Sequence, residues 1–155
     1  MNSQRKAFLY MLAFSEIGAA LLAESDDGYN VIVGSTPSNP ILFPSYADHP
    51  RKMMLIRPGL WSTAAGRYQI LSHYFDVYRD QLRLPDFGHD SQDAIALQMV
   101  NECHALDDID AGRIEQAISK CCSRWASLPG AGYNQHENAM DVLVTAFKAA
   151  GGVVS

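Results

Sequence analysis

Among the 17 acidic residues of the chain, Glu16 has the most distinctive surroundings. It closes the uncharged run from Ala7 to Ser15, which reads Ala-Phe-Leu-Tyr-Met-Leu-Ala-Phe-Ser. Such a run buries its apolar side chains, so the carboxyl at its end borders buried surface. On a helix, the same carboxyl meets the negative end of the dipole. Both effects disfavour the carboxylate and raise its pKa. A carboxyl that keeps its proton near neutral pH can act as a general acid and protonate a leaving oxygen. Taken alone, the position also suits a glutamate that merely solvates a helix end. Hydrolysis driven by such an acid often enlists a second carboxylate. Glu24, Asp26, Asp27 and Asp48 are the candidates for that partner.

Other reactive residue types point to little. His49, His73, His89, His104 and His136 lack ligand spacing, and there is no His-Glu-x-x-His. In Asp48-His49-Pro50 the structural reading is preferred, with Asp48 or His49 bonded to nearby backbone in a long loop. Cys103, Cys121 and Cys122 are odd in number and two are adjacent. They make neither a disulfide framework nor a zinc pattern and read as small core or boundary residues. The glycine-rich pieces match no P-loop and no dinucleotide fingerprint. No metal and no cofactor is therefore expected. Trp61 and Trp125 are possible stacking platforms for a ligand, although Trp125 falls on an apolar helical stripe.

These side chains need a scaffold, and 155 residues are the length of one domain. With 48% hydrophobic and 19% charged residues, the chain belongs with folded proteins and not with disordered ones. A formal charge of -5 offers no basic stripe for nucleic acid and no long-range pull toward an anionic polymer. The N-terminus begins like a secretion signal, but Ser15-Glu16 breaks the apolar run and no small-residue cleavage site follows. No stretch approaches about 18 apolar residues, so synthesis in the cytoplasm without membrane insertion is expected.

Periodicity predicts a helix from about Arg5 to Glu16, with Phe8, Met11, Leu12 and Ser15 on one side and Gly18 as its stop. Ile17 to Ala23 reads as a short continuation. Asp26-Asp27-Gly28 is a turn signal, and Tyr29–Val33 with Ile41–Phe43 suggests a small β-hairpin. Pro44 to Pro58 reads as irregular, with a turn of helix around Arg51 to Leu55. Tyr68, Leu71, Phe75, Tyr78 and Leu82 then mark a helix whose start Thr63 can cap. Three more helices follow. The first is capped by Asp90 or Ser91, with Ile95, Met99 and Val100 inward. The second starts near Ala111, with Ile114, Ala117, Ile118, Cys121 and Trp125 on one stripe. The last carries Met140, Val142, Leu143, Ala146 and Phe147 and ends at Gly151-Gly152. No repeat or linker divides the chain, so residues 1–155 are expected to form one domain.

Several phrases carry a resemblance. They are Gln4-Arg5-Lys6-Ala7-Phe8-Leu9, Ser15-Glu16, Gly28-Tyr29-Asn30-Val31-Ile32-Val33-Gly34 and Asp48-His49-Pro50-Arg51-Lys52. Ala65-Gly66-Arg67-Tyr68-Gln69, Ser91-Gln92-Asp93-Ala94 and the stretch from Trp125 to Tyr133 follow in order. Together they resemble the lambda-phage endolysin family of peptidoglycan lytic transglycosylases. The resemblance implies an α+β, lysozyme-like fold: a mainly helical domain with a small β-hairpin lobe flanking a substrate cleft. It places the family's catalytic acid on Glu16. It implies that this one group protonates the glycosidic oxygen and then takes the proton of the muramic C6 hydroxyl. Peptidoglycan glycan strands would be the partner, cleaved for host cell lysis. Release to the periplasm through a holin-type pore and action as a monomer follow from the same resemblance.

Gln69, Tyr68, Tyr133 and Asn30 are the expected substrate contacts. Gln69 can donate to and accept from acetamido groups, while Tyr68 either stacks on a sugar or, as the first member of the inward stripe, belongs to the core. Asn30 stands where the family has aspartate and cannot serve as a base or nucleophile. A second departure is the apolar Ile17 to Ala23, in place of a more polar, basic loop. The alternatives are a hydrolytic lysozyme and a catalytically silent peptidoglycan binder.

Overall fold

The computed structural model describes all 155 residues. Its elements run α1 (Ser3–Ile17), α2 (Ala19–Ala23), β1 (Met54–Arg57), β2 (Leu60–Ser62), α3 (Ser72–Leu82), α4 (His89–Glu102), α5 (Leu106–Asp110), α6 (Ile114–Cys121) and α7 (Met140–Ala149). They fall into two compact units, one made of Met1–Glu16 with Ala96–Ser155 and the other of Ile17–Ile95. No helix is long and apolar enough to cross a membrane.

The regular elements of the first unit are all helices. α1 buries Ala7, Phe8, Leu9, Met11, Leu12, Ala13 and Ser15. The width of that stripe follows from the unbroken apolar run. α6 presents Ile114, Ala117, Ile118 and Cys121, the i, i+3, i+4, i+7 set, and all four are buried. Trp125 is buried as well but lies beyond the end of α6. On α7 the buried set is Leu143, Ala146 and Phe147, whereas Val142, expected inward, is exposed because it lies off that stripe. The short α5 carries no long periodic signal and escaped the sequence reading. The C-terminal tail is pinned by Gln4, which donates to the Val153 carbonyl at 2.8 Å and accepts from its N–H at 2.7 Å.

The second unit holds the β structure, and here one expectation needs correction. Val31–Ile32 does pair with the 41–43 segment, since Ile32 N–H donates to Ile41 O at 2.8 Å and Phe43 N–H to Asn30 O at 3.0 Å. On its other side Gly66 N–H donates to Val31 O and Val33 N–H to Ala64 O. These remain isolated bridges. The regular hairpin is β1–β2, whose first strand lies in the Pro44–Pro58 stretch expected to be irregular or briefly helical. It turns at Pro58-Gly59, with Gly59 at φ +80°, the pairing that suits a type II turn. Leu55, Ile56 and Trp61 are all exposed. A strand bare on both faces shows no alternation of apolar and polar residues, which is why its period was illegible.

The helix expected from Tyr68 starts only at Ser72. Residues 65–70 instead form a closed loop in which Ala65 and Ile70 exchange backbone hydrogen bonds of 3.1 and 2.9 Å. Gly66 and Gln69 have positive φ within it, a conformation that no helix can absorb. Thr63 does serve the start of α3, because its Oγ1 accepts from Ser72 N–H at 3.0 Å across nine residues of sequence. His49 is buried at 3% exposure. Its Nδ1 accepts from Arg51 N–H at 2.9 Å, so its Nε2–H donates to Ile70 O at 2.8 Å. Burial pushes its pKa down, and its work is structural, as the sequence indicated.

Candidate active site

Glu16 is the penultimate residue of α1, and Gly18 at φ +83° ends the helical path. The preceding side chains anchor that last turn in the core, so the carboxyl is held half-buried beside apolar surface. Burial pushes its pKa from an ordinary 4.5 up to about 7. Two hydrogen bonds from Ser127, one from its hydroxyl and one from its backbone N–H, oppose the rise without cancelling it. The hydroxyl donates to Glu16 Oε1 at 2.7 Å. No ionised neighbour contributes to the shift, so desolvation alone drives the rise.

Behind this contact lies a polar group that sequence reasoning missed. The Ser15 and Ser127 hydroxyls are 2.7 Å apart. Asn138 Nδ2 donates to Ser15 Oγ at 3.1 Å and to Ser15 O at 3.2 Å. Asn138 N–H donates to Ser127 O at 2.8 Å. Only their place in quoted phrases marked the two serines, and nothing marked Asn138. In the same stretch Glu137 accepts from the N–H groups of Gly130 at 2.8 Å and Gly132 at 3.0 Å. These bonds order the turn and hold the Glu137 carboxyl below its ordinary pKa.

The four expected contact residues have different fates. Tyr133, in the first unit, is 50% exposed and donates its hydroxyl to Ser123 O at 2.8 Å. Asn30, in the second, is half-buried; its Oδ1 accepts from Asp26 N–H at 2.9 Å, which leaves Nδ2 to donate elsewhere. Gln69 spends Nε2 on Gly66 O at 2.8 Å and keeps Oε1 as an acceptor. Tyr68 is a core residue, at 1% exposure. Its hydroxyl donates to Asp93 Oδ1 at 2.6 Å, an oxygen shared with Tyr29. Neither ring face is open to a sugar, so the stacking expectation is corrected in favour of the core reading.

Three of the four candidate second carboxylates are already engaged. Asp26 Oδ2 accepts from the Tyr46 hydroxyl at 2.5 Å and lies 2.7 Å from His89 Nε2, and the two contacts lower its pKa in that order. Asp27 pairs with Arg67 at 2.5 Å. Asp48 pairs with Arg51 at 3.0 Å, which lowers its pKa. Glu24 is exposed at the end of α2. No three His, Cys, Asp or Glu side chains converge as a metal site would require, and the three cysteines are free.

A mainly helical chain with one small hairpin and a desolvated glutamic acid at the end of its first helix defines a protein of the lysozyme-like class. The Endolysin family model matches residues 6–154, and the chain belongs to that family. It is 53% identical to the endolysin of Escherichia phage lambda over 155 residues, covering 99% of this chain and 95% of the relative. The endolysin of Escherichia phage P2 is 50% identical over 152 residues, covering 95% and 92%. Among solved structures, bacteriophage lambda lysozyme complexed with a chitohexasaccharide superimposes with a TM-score of 0.93 at 52% identity, covering 100% of this chain and 98% of that one. A second structure of lysozyme from bacteriophage lambda gives 0.88 at the same identity and coverage.

Proposed function

We propose that this endolysin carries out its lytic transglycosylase reaction with Glu16 as the one group that gives and then takes a proton. The enzyme cleaves the MurNAc-β-1,4-GlcNAc linkage of peptidoglycan and leaves 1,6-anhydromuramoyl ends. Protonated Glu16 donates to the glycosidic oxygen as the bond to muramic C1 breaks. The resulting carboxylate accepts the proton of the C6 hydroxyl as that oxygen bonds to C1. Glu16 finishes protonated, as it began, and no water is consumed. The observation that carries this reading is the half-buried carboxyl with its pKa at about 7, poised between acid and base.

The engagement of Asp26, Asp27 and Asp48, with Asn30 unable to act as a base, argues against a two-carboxylate hydrolysis. Tethering of the C6 hydroxyl beside C1 supplies the nucleophile by proximity. We assign substrate contacts to Gln69 through its free acceptor, to Asn30 through its Nδ2 and to Tyr133 through its exposed ring; Tyr68 belongs to the core. The chitohexasaccharide bound by lambda lysozyme is the same class of β-1,4-linked amino-sugar strand. The two units are read as one domain, 1–155, because α4 runs through both without a break and a single family model spans them. Action as a monomer, after synthesis in the host cytoplasm and release through a holin-type pore, is the reading that family membership supports.

Glu16→Gln is expected to abolish lysis of permeabilised Gram-negative cells while folding and wall binding persist. Mass spectrometry of the wild-type digest should show muropeptides one water lighter than hydrolytic products. Activity of the variant above a few per cent would remove Glu16 from the role. Free reducing ends in the digest would make the enzyme a hydrolase and turn attention to Glu24.

A further inference from the structure

The hydrogen-bonded side chains behind Glu16 have a fixed direction. Asn138 Nδ2 faces two backbone carbonyls, Ser15 O at 3.2 Å and Ser127 O at 3.5 Å. Carbonyl oxygens only accept, so the amide group there is the NH2 and its orientation is settled. That NH2 also reaches Ser15 Oγ at 3.1 Å, and Ser15 Oγ must accept from it. Ser15 has one hydroxyl proton, and its other hydroxyl contact is Ser127 Oγ at 2.7 Å. No other acceptor meets Ser15 Oγ, so its proton is bonded only when it points to Ser127. Ser127 in turn sends its own proton to Glu16 Oε1 at 2.7 Å. This is the arrangement in which every hydroxyl proton of the set has an acceptor.

We infer that Asn138, Ser15 and Ser127 form a one-way donor relay that keeps Glu16 Oε1 as an acceptor and assigns the transferable proton to Oε2. The inference rests on the reading of Glu16 as the acid and deepens it. A carboxylic acid can carry its proton on either oxygen, and only one of them faces the scissile bond in a given pose. With a hydroxyl donating to Oε1, the carbonyl-like oxygen is Oε1 and the proton occupies the other. After transfer, the same donor stabilises the carboxylate that must collect the C6 proton. Asn138 and Ser15 are positioning residues, because they act on Glu16 only through Ser127.

The test is a titration of the Glu16 carboxyl in the intact protein, read by carbon-13 NMR, together with the pH profile of lysis. Ser127→Ala removes the donor outright. Ser15→Ala cuts the relay in the middle and leaves the Asn138 bonds to the two carbonyls in place. Asn138→Ala removes the anchor that sets the direction. Each should raise the Glu16 pKa by about half a unit or more and lower kcat roughly tenfold, with KM little changed. A residue that only braced the fold would alter the melting temperature and leave the pKa where it was. If Ser127→Ala shifts the titration but Ser15→Ala does not, the contact is local and the relay is overturned. If Glu16→Gln keeps its activity, the acid assignment falls, while the titration of the serine variants still decides the relay.

Discussion

At the scale of single residues, the decisive contest at Glu16 is between desolvation and two hydrogen bonds from one serine. Desolvation wins, and the carboxyl titrates at about 7 instead of 4.5. In the proposed reaction Glu16 must start protonated, so kcat/KM should be level below neutrality and fall as pH rises through about 7. An alkaline midpoint above 8.5 in a pH–rate profile would contradict this. Stability follows the same protonation. The folded state holds the Glu16 proton more tightly than the unfolded chain, so it binds more protons between pH 4.5 and about 7. Stability is therefore lost as pH rises through that window, by up to roughly 3 kcal/mol from the pKa gap. Glu16→Gln should be more stable than wild type at pH 8 and similar to it at pH 4, as denaturant titration would show. The apolar run before Glu16 made this residue readable from sequence. Ser127 and Asn138 were not readable, since no local pattern marks a side chain whose partner lies more than 100 residues away in the chain.

At the scale of elements, the second unit is tied together by one buried amide. Gln92, on α4, accepts from Arg67 N–H at 2.9 Å and donates to Tyr29 O at 3.0 Å and Phe87 O at 2.8 Å. It thereby joins three segments that no regular sheet connects. Gly66 makes the approach possible, for a Cβ there would lie 2.2 Å from Gln92 Oε1. The glycine also has φ +81°. Gly66→Ala must both strain the backbone and displace an amide held by three hydrogen bonds. The expected loss is about 2–4 kcal/mol, measurable as a lower denaturation midpoint at unchanged slope. A change under about 0.5 kcal/mol would show that the amide can move freely. In the sequence Gly66 stands out only as part of the phrase Ala65–Gln69, and no local pattern names the neighbour that excludes a side chain.

At the scale of the whole molecule, charge sets how the enzyme meets its substrate. The net charge is -5, and much of the basic complement is already paired: Arg5 with Asp110, Arg51 with Asp48 and Asp76, Arg113 and Lys120 with Asp108. Little long-range attraction to an anionic wall remains. Raising salt from low to physiological strength should therefore change the lysis rate by less than about twofold. An order-of-magnitude fall in turbidity assays over that range would reveal a local basic surface at work. Lys52, two residues before β1 and in a stretch without an acid between Arg51 and Thr63, would be the first to neutralise.

Sequence alone determined what depends on neighbours in the chain. The long stripes of α1, α4, α6 and α7, the stop at Gly18 and the protonated character of Glu16 all arise from residues within a few turns of one another. The ordered phrases fixed the family for the same reason, being local strings. Tertiary structure decided what depends on distant partners. It sent Tyr68 into the core against Asp93 instead of onto a helix face. It moved the regular hairpin from Tyr29–Phe43 to Met54–Ser62, because Val31 and Ile32 were claimed by segments on both sides. It also placed Ser127 and Asn138 behind Glu16, since a helix end leaves the carboxyl's polar partners to be supplied by whatever part of the chain folds beside it.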